Sequence, residues 1–169
     1  MGDNTLREIV IPPEEATFWL DCWGRWCNKH GRFEHRKIID YFHAAIGRDE
    51  EGYYVSQVNG DVVEKVYFRY EDTALFVFDV LLEEEKALVL NTGRRIVFDP
   101  ETLFIRNDYL YLRHGGDLIK FNESSMLKIG RLFEDAGEQC FLRYKGRQVV
   151  IPVLTDQPPG RQRADETKP

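Results

Sequence analysis

Polar and apolar positions alternate in short runs along most of this chain, and turn residues close the runs. GYYVSQVNGDVVEKVYF, residues 52–68, alternates on both sides of Asn59-Gly60 and predicts two strands of one hairpin. Comparable runs predict strands at about 74–80, 86–91 and 94–98, and a further pair brackets His114-Gly115-Gly116. FLRY and QVVIP flank Lys145-Gly146 in the same way. Nearer the N-terminus, TFWLDCW and RWCNKH predict a hairpin closed by two residues, Gly24-Arg25 or Trp23-Gly24. Strand alternation then sets Cys22 and Cys27 on the face of Phe18 and Leu20, and Trp19, Trp26, Asn28 and His30 on the other.

Two segments have a helical period instead. In EHRKIIDYFHAAIG, Ile38, Phe42, Ala45 and Ile46 share a face and Gly47 is placed to cap the C-terminus. In NESSMLKIGRLFEDAG, Asn122 or Ser124 can cap the start, Met126, Ile129, Leu132 and Phe133 form the stripe, and Gly137 ends it. Hairpin, helix and hairpin then recur: Ile38, Tyr41 and Phe42 match Ile129, Leu132 and Phe133 at a spacing of 91, and Gly60 matches Gly146 at 86. The pattern predicts an α+β fold of two weakly repeated hairpin-helix-hairpin units, with mainly antiparallel sheets and two helices. Its divisions are an N-terminal arm (1–12), a first half (13–98), a second half (99–154) and a disordered tail (155–169) with a Pro-Pro pair and no apolar period. A groove between two such halves is a usual place for a ligand.

Length and composition fit this picture: 169 residues, 43% hydrophobic and 31% charged, are those of an ordinary soluble protein with one sizeable core or two small ones. A formal net charge of -6 argues against non-specific nucleic-acid binding. The longest apolar run, ALFVFDVLL, is interrupted by Asp79 and too short to span a bilayer, and the first residues lack the apolar stretch of a signal peptide. With only three scattered cysteines, the expectation is a cytoplasmic, reducing setting without nucleic-acid or membrane partners.

Charge is uneven, however. Arg25, Lys29, Arg32, Arg36 and Lys37 against Glu34 make a local +4, which leaves -10 for the remainder. Several of these cations precede or begin the first helix, where free backbone N–H groups already favour anions. They form either a solvated basic edge paired with neighbouring acids or an anion site, with Trp26 or Trp23 as a stacking face.

Cys22, Cys27, His30 and His35 fall within fourteen residues and are the alternative metal set. Their spacing, two x4 pairs separated by two residues, is unlike the usual zinc patterns, and alternation turns His30 away from the sulfurs. Facing across a Gly24-Arg25 turn, the two cysteines could also form a redox pair; the plain reading is two reduced core thiols. No phosphate-binding, serine-hydrolase or zinc-protease motif is present and no motif requires a cofactor. His30 and His114 are the alternative proton-transfer groups.

Gly24-Arg25-Trp26, HRKIIDYF, DEEGYYV, VEKVYFRYEDTALF, LVLNTGRRIVF and YLYLRHGGDLIKF, in that order, resemble the bacterial family defined by domain of unknown function 1285. The resemblance implies a duplicated α+β unit whose second half is a small curved sheet closed by a helix. It also implies a groove between the halves for a nucleotide-like or other small ligand in a signalling setting, with no established activity. Trp26, Arg36, Glu64, Lys65, Glu71, Asp72 and Arg113 fall on the family's recurrent positions. VNGDVVEK departs from the family's Thr-Pro before the Glu-Lys pair, and Asn91-Thr92 from its Thr-Asn.

The leading expectation is therefore a non-enzymatic ligand-binding or regulatory protein that takes a small anionic ligand through Trp26, Arg32, Arg36, Lys37 and Arg113. The alternatives are an enzyme acting on a phosphorylated small molecule and a protein-protein interaction module.

Overall fold

A computed structural model of the chain describes residues 5–155; residues 1–4, and the tail expectation beyond residue 155, lie outside the described part. Strands β1 (Arg7–Ile11), β2 (Phe18–Leu20), β3 (Trp26–Asn28) and β4 (Gly31–Arg32) precede helix α1 (Arg36–Ala44). After it come β5 (Ile46–Asp49), β6 (Gly52–Asn59), β7 (Val62–Tyr67), β8 (Arg69–Tyr70), β9 (Leu75–Leu81), β10 (Ala87–Leu90) and β11 (Arg95–Val97). The last third holds β12 (Leu103–Arg106), β13 (Tyr109–His114), β14 (Asp117–Phe121), helix α2 (Glu123–Ile129), β15 (Phe133–Ala136), β16 (Gln139–Tyr144), β17 (Arg147–Ile151) and β18 (Val153–Leu154). The class is α+β, as the sequence pattern predicts. No helix among the described residues is long and apolar enough to cross a membrane.

The strands form four sheets, in the orders β4-β3-β2-β8, β1-β7-β6-β5, β11-β10-β9-β14-β13-β12-β18 and β15-β16-β17. Neighbours are mainly antiparallel, with parallel pairings at β1–β7, β2–β8, β9–β14 and β12–β18. The stretch expected to be an arm is thus a strand where it is described, because Arg7 to Ile11 lie beside Val62 to Val66. From β2 to β8 the chain runs three antiparallel strands, a helix, a three-stranded meander and a strand returning parallel to the first. The same order and pairings run from β12 to β18.

Strand β9 explains how the parts are joined. LFVFDVL begins with a run buried on both faces, as suits a strand covered from two sides. Leu75 and Val77 enter one core with Leu88, Leu110, Ile119, Phe121, Ile129, Leu142 and Ile151. Phe76, between them, enters a second with Phe18, Leu20, Trp26, Val55, Val66 and Phe68. One strand therefore serves as a wall of both cores. The sheet it belongs to crosses the division at residue 98, since β9 pairs with β14.

Both helices are shorter than their apolar patterns. α1 ends at Ala44, and Ile46 starts β5 rather than a further helical turn. Gly47 is consequently a strand residue, and it is small because the Tyr54 ring lies over it: a Cβ there would sit 2.6 Å from Tyr54 Cζ. The buried side of α1 carries Ile39, Phe42 and His43, while Ile38 is 46% exposed. α2 is capped by Asn122, whose side chain accepts from Ser125 N at 2.9 Å, and stops at Ile129; Phe133 begins β15 and Gly137 lies in the next turn. Aligning the elements themselves, Arg36 with Glu123 and Ile46 with Phe133, gives an offset of 87, one helical turn short of 91.

Gly47→Ala should destabilise the protein by about 1–3 kcal/mol, because the Tyr54 ring must leave its position across β5 and β6. Chemical denaturation checks this, and an unchanged midpoint would contradict the packing described.

Candidate functional site

The β2–β3 connection is a wider turn than the sequence suggests. Phe18 faces Asn28, Trp19 faces Cys27 and Leu20 faces Trp26, so residues 21–25 form the loop. Asp21, buried at its base, organises that loop: Oδ1 accepts from Trp23 N and Arg25 N, each at 2.9 Å, and Oδ2 accepts from Arg25 Nε at 2.8 Å. Gly24 turns with φ +77°, and a Cβ on it would lie 3.0 Å from the Phe76 ring. Neighbouring strands hold the loop from outside. Cys22 N donates to Glu71 Oε2 at 3.0 Å, and Lys120 Nζ donates to Cys22 O at 2.9 Å.

This register reverses the faces expected for the hairpin. Trp26 points into the core with Phe18 and Leu20, is 1% exposed, and meets Phe68, Phe42 and Phe18 edge-on at centroid distances of 4.9, 5.4 and 5.6 Å. It offers no open face for stacking. Cys27 lies on the opposite face, beside Asp21, and Cys22 is in the loop, so the two are not cross-strand partners; all three cysteines are free thiols. Burial pushes the thiols of Cys22 and Cys27 up, away from the thiolate form. Among the described residues no three His, Cys, Asp or Glu side chains are grouped to hold a metal ion. His30 and His35 in particular do not join the two cysteines around one point.

A cleft of about 530 Å³ opens between this hairpin loop, β4 and α1. Trp23, Gly24 and Arg25 form one side, His30, Arg32 and Phe33 another, and Glu34, Arg36 and Asp40 edge the helix start. Trp26, Ile39, His43 and Phe78, the more buried of the lining residues, form its floor, and Asn122 also lines it. Arg32, Arg36, His30 and Trp26 thus line one cleft. Lys37 does not line this cleft, and neither does Arg113, whose guanidinium stacks over Phe104 at 5.4 Å on β13. His114 lines a separate cavity of about 400 Å³ with Arg48, Arg94 and Asp117. His35 lines a shallower cleft beside the first, with Asn28 and Ile38. The walls come almost wholly from residues 23–43, and only Asn122 represents the second half, so the cleft is not a groove shared evenly by two halves.

The cations differ in how they are held. Arg25 is paired with Asp21 at 2.8 Å, and Arg36 loosely with Asp40 at 3.5 Å. Arg32 has no ion pair among the described residues. His35 occupies the N-cap of α1 without a side-chain capping bond, and no acid stands in the first turn, where Arg36 and Lys37 lie.

His43 lines the cleft and Asn91 stands behind it, and neither is among the expected ligand-binding residues. His43 is 4% exposed. Asn91 Oδ1 accepts from Phe76 N at 3.0 Å and Nδ2 donates to Ala74 O at 3.2 Å, which orients the amide. The second N–H of Nδ2 is then directed to His43 Nδ1 at 3.3 Å. Nδ1 is the acceptor, so the neutral ring carries its proton on Nε2. Burial lowers the pKa of His43 to about 4, against a smaller upward pull from the Asp40 carboxylate. A polar residue one turn beyond Ile39, on the buried side of α1, was the available signal.

The molecule is thus a mixed α+β protein of two similarly wired units with a basic cleft in the first. It shares its fold with a DUF1285 family protein from Silicibacter pomeroyi DSS-3, at a TM-score of 0.56 and 15% identity over 86% of this chain and 83% of that one. A DUF1285 family protein from Shewanella baltica OS155 aligns at a TM-score of 0.48 and 15% identity, over 68% of this chain and 91% of that one. No protein-family model and no curated protein matches the chain. The resemblance drawn from the motifs between Gly24 and Phe121 is borne out in the fold.

Because His43 is held neutral, the unfolded chain takes up its proton first, near pH 6.5. Stability should therefore be level in this component above that value and fall by up to about 3 kcal/mol as pH drops to 4. In His43→Phe the decline over the window should be shallower; denaturation profiles that superimpose on wild type would contradict the assignment.

Proposed function

We propose that the protein binds a small anionic ligand, nucleotide-like or otherwise phosphorylated, in the cleft at the start of α1. It then serves as a ligand-binding or regulatory protein in a signalling setting of the cytoplasm. The observation that carries this reading is Arg32, free of any ion pair among the described residues, beside Arg25, Arg36 and His30 in one concave site. A folded chain gains nothing by leaving Arg36 and Lys37 in the first turn of a helix, where the dipole disfavours cations. An anion from outside would relieve that conflict. The cleft volume lies in the range typical of small-molecule sites.

The recurrence of element order supports a further part of this reading, that the two units are copies of one ancestor and only the first keeps a ligand site. In the second unit the cavity between hairpin and helix is about 180 Å³ and lined by Ile105, Leu110, Met126, Ile129 and Phe133. A second reading, an enzyme on a phosphorylated small molecule, is favoured only by His30 standing in the same cleft as the arginines.

Nucleoside monophosphates and sugar phosphates should raise the melting temperature in a concentration-dependent way. Arg32→Ala should weaken binding by about tenfold or more, while Lys145→Ala, remote from the cleft, should not. No shift across the panel, or equal effects of both variants, would sink the proposal. Turnover of a bound compound that is lost in His30→Ala would instead favour the enzyme.

A further inference from the structure

We infer that His43 is a specificity-determining residue of the cleft: its Nε2–H donates a hydrogen bond to an uncharged acceptor, a ring nitrogen or carbonyl oxygen, on the body of the ligand. This rests on the proposed anion site, where the arginines hold the charged group, and adds what the other end of the ligand must be. The floor beneath the arginines is apolar, formed by Trp26, Ile39 and Phe78. His43 is its neutral polar group, and the Phe78 ring packs against it edge-on at 5.0 Å.

Three facts give the imidazole this role. Asn91 uses its carbonyl on Phe76 N and its N–H groups on Ala74 O and His43 Nδ1, so Nδ1 is an acceptor with its lone pair taken. The proton is therefore on Nε2, which has no hydrogen-bond partner among the described residues. Trp26 Nε1 is the one fully buried, unpartnered side-chain nitrogen or oxygen among those residues, so Nε2 of His43 keeps some access to solvent, and the cleft is the cavity that this side chain lines. A donor fixed in one tautomer and set in an apolar floor rewards a ligand atom that accepts and penalises one that cannot. It is not a base, since its remaining nitrogen already holds the proton, and burial keeps it neutral at ordinary pH.

The ligand class that follows is an anion, phosphate or carboxylate, joined to a flat body that carries at least one acceptor. Phenyl phosphate has the anion and the flat body without the ring acceptor; adenosine and uridine 5′-monophosphates have all three. Calorimetric titration of the full chain with these three probes, together with spectra of 15N-labelled histidine, tests the inference. The nucleotides should bind about tenfold tighter than phenyl phosphate and move the His43 Nε2–H signal downfield. His43→Phe should bring the nucleotides to the affinity of phenyl phosphate and leave phenyl phosphate unchanged. If the nucleotides bind with dependence on Arg32 but the Nε2–H signal stays, or His43→Phe weakens all three equally, the inference falls and the anion site stands. If no probe binds at millimolar concentration, both fall. Should His43→Phe fail to fold, the wild-type affinity ratio and the Nε2–H signal still decide.

Discussion

A lysine ammonium held out of water locates much of this molecule. Lys120 on β14 is 4% exposed, and its Nζ lies 3.0 Å from Asp72 Oδ2, 2.9 Å from the Cys22 carbonyl and 4.3 Å from the centre of the Tyr109 ring. Asp72 in turn takes Arg106 at 3.1 Å and the Tyr111 hydroxyl at 2.6 Å. A buried charge is tolerated only when its partners stay in place, so the penalty for losing one of them enforces the geometry. Asp72 follows β8 of the first unit, Cys22 belongs to its hairpin loop, and Lys120, Arg106 and Tyr111 belong to the seven-stranded sheet. One network therefore fixes the hairpin loop of the first unit on the seven-stranded sheet. That loop is also a wall of the cleft.

The alternation of β9 acts on the other side of the same loop. Phe76 faces the hairpin and approaches Gly24 so closely that a Cβ there would crowd its ring, while Leu75 and Val77 face the opposite core. Lys120 sits directly beside Phe76 in the parallel pairing of β14 with β9, and so points to the same side. Apolar contact and ion pair thus act on neighbouring positions. Asn91 Oδ1 reaches the backbone of the same residue, Phe76, and extends the anchoring to the tautomer of His43. Sheet, loop and imidazole are linked by short, directional contacts that hold the walls of the cleft in place.

Strands and tight turns were legible because period-two alternation and turn residues are local signals. Gly115-Gly116 and Lys145-Gly146 close hairpins as expected, with positive φ at all four residues, whereas the first turn is Gly60-Asp61, one residue later than Asn59-Gly60, because Asn59 pairs with Val62 and Gly60 takes the positive φ. What misled was continuity of apolar spacing across a change of structure. Ile46 and Phe133 continue the helical period but begin strands, because the meander that follows each helix claims them. The hairpin register was not legible because Asp21 supplies three acceptor contacts to a longer loop, and a side chain's contacts leave no period in a sequence. The basic cluster was visible as charge density, and Arg32, Arg36 and His30 do meet in a cleft. Charge and resemblance group Arg113 and Lys37 with these residues, and tertiary placement separates them. His43 and Asn91, 48 positions apart, could be joined only by the fold.

Asp72 and Lys120 hold the loop as a pair rather than as two independent polar residues. A double-mutant cycle of Asp72→Asn and Lys120→Met, followed by denaturant unfolding, measures that pairing directly. Each single variant should be strongly destabilised by the group left behind, and the double variant should recover part of the loss, with a coupling of about 2 kcal/mol. Effects that add to within about 0.5 kcal/mol would contradict the claim that this pair holds the loop on the sheet.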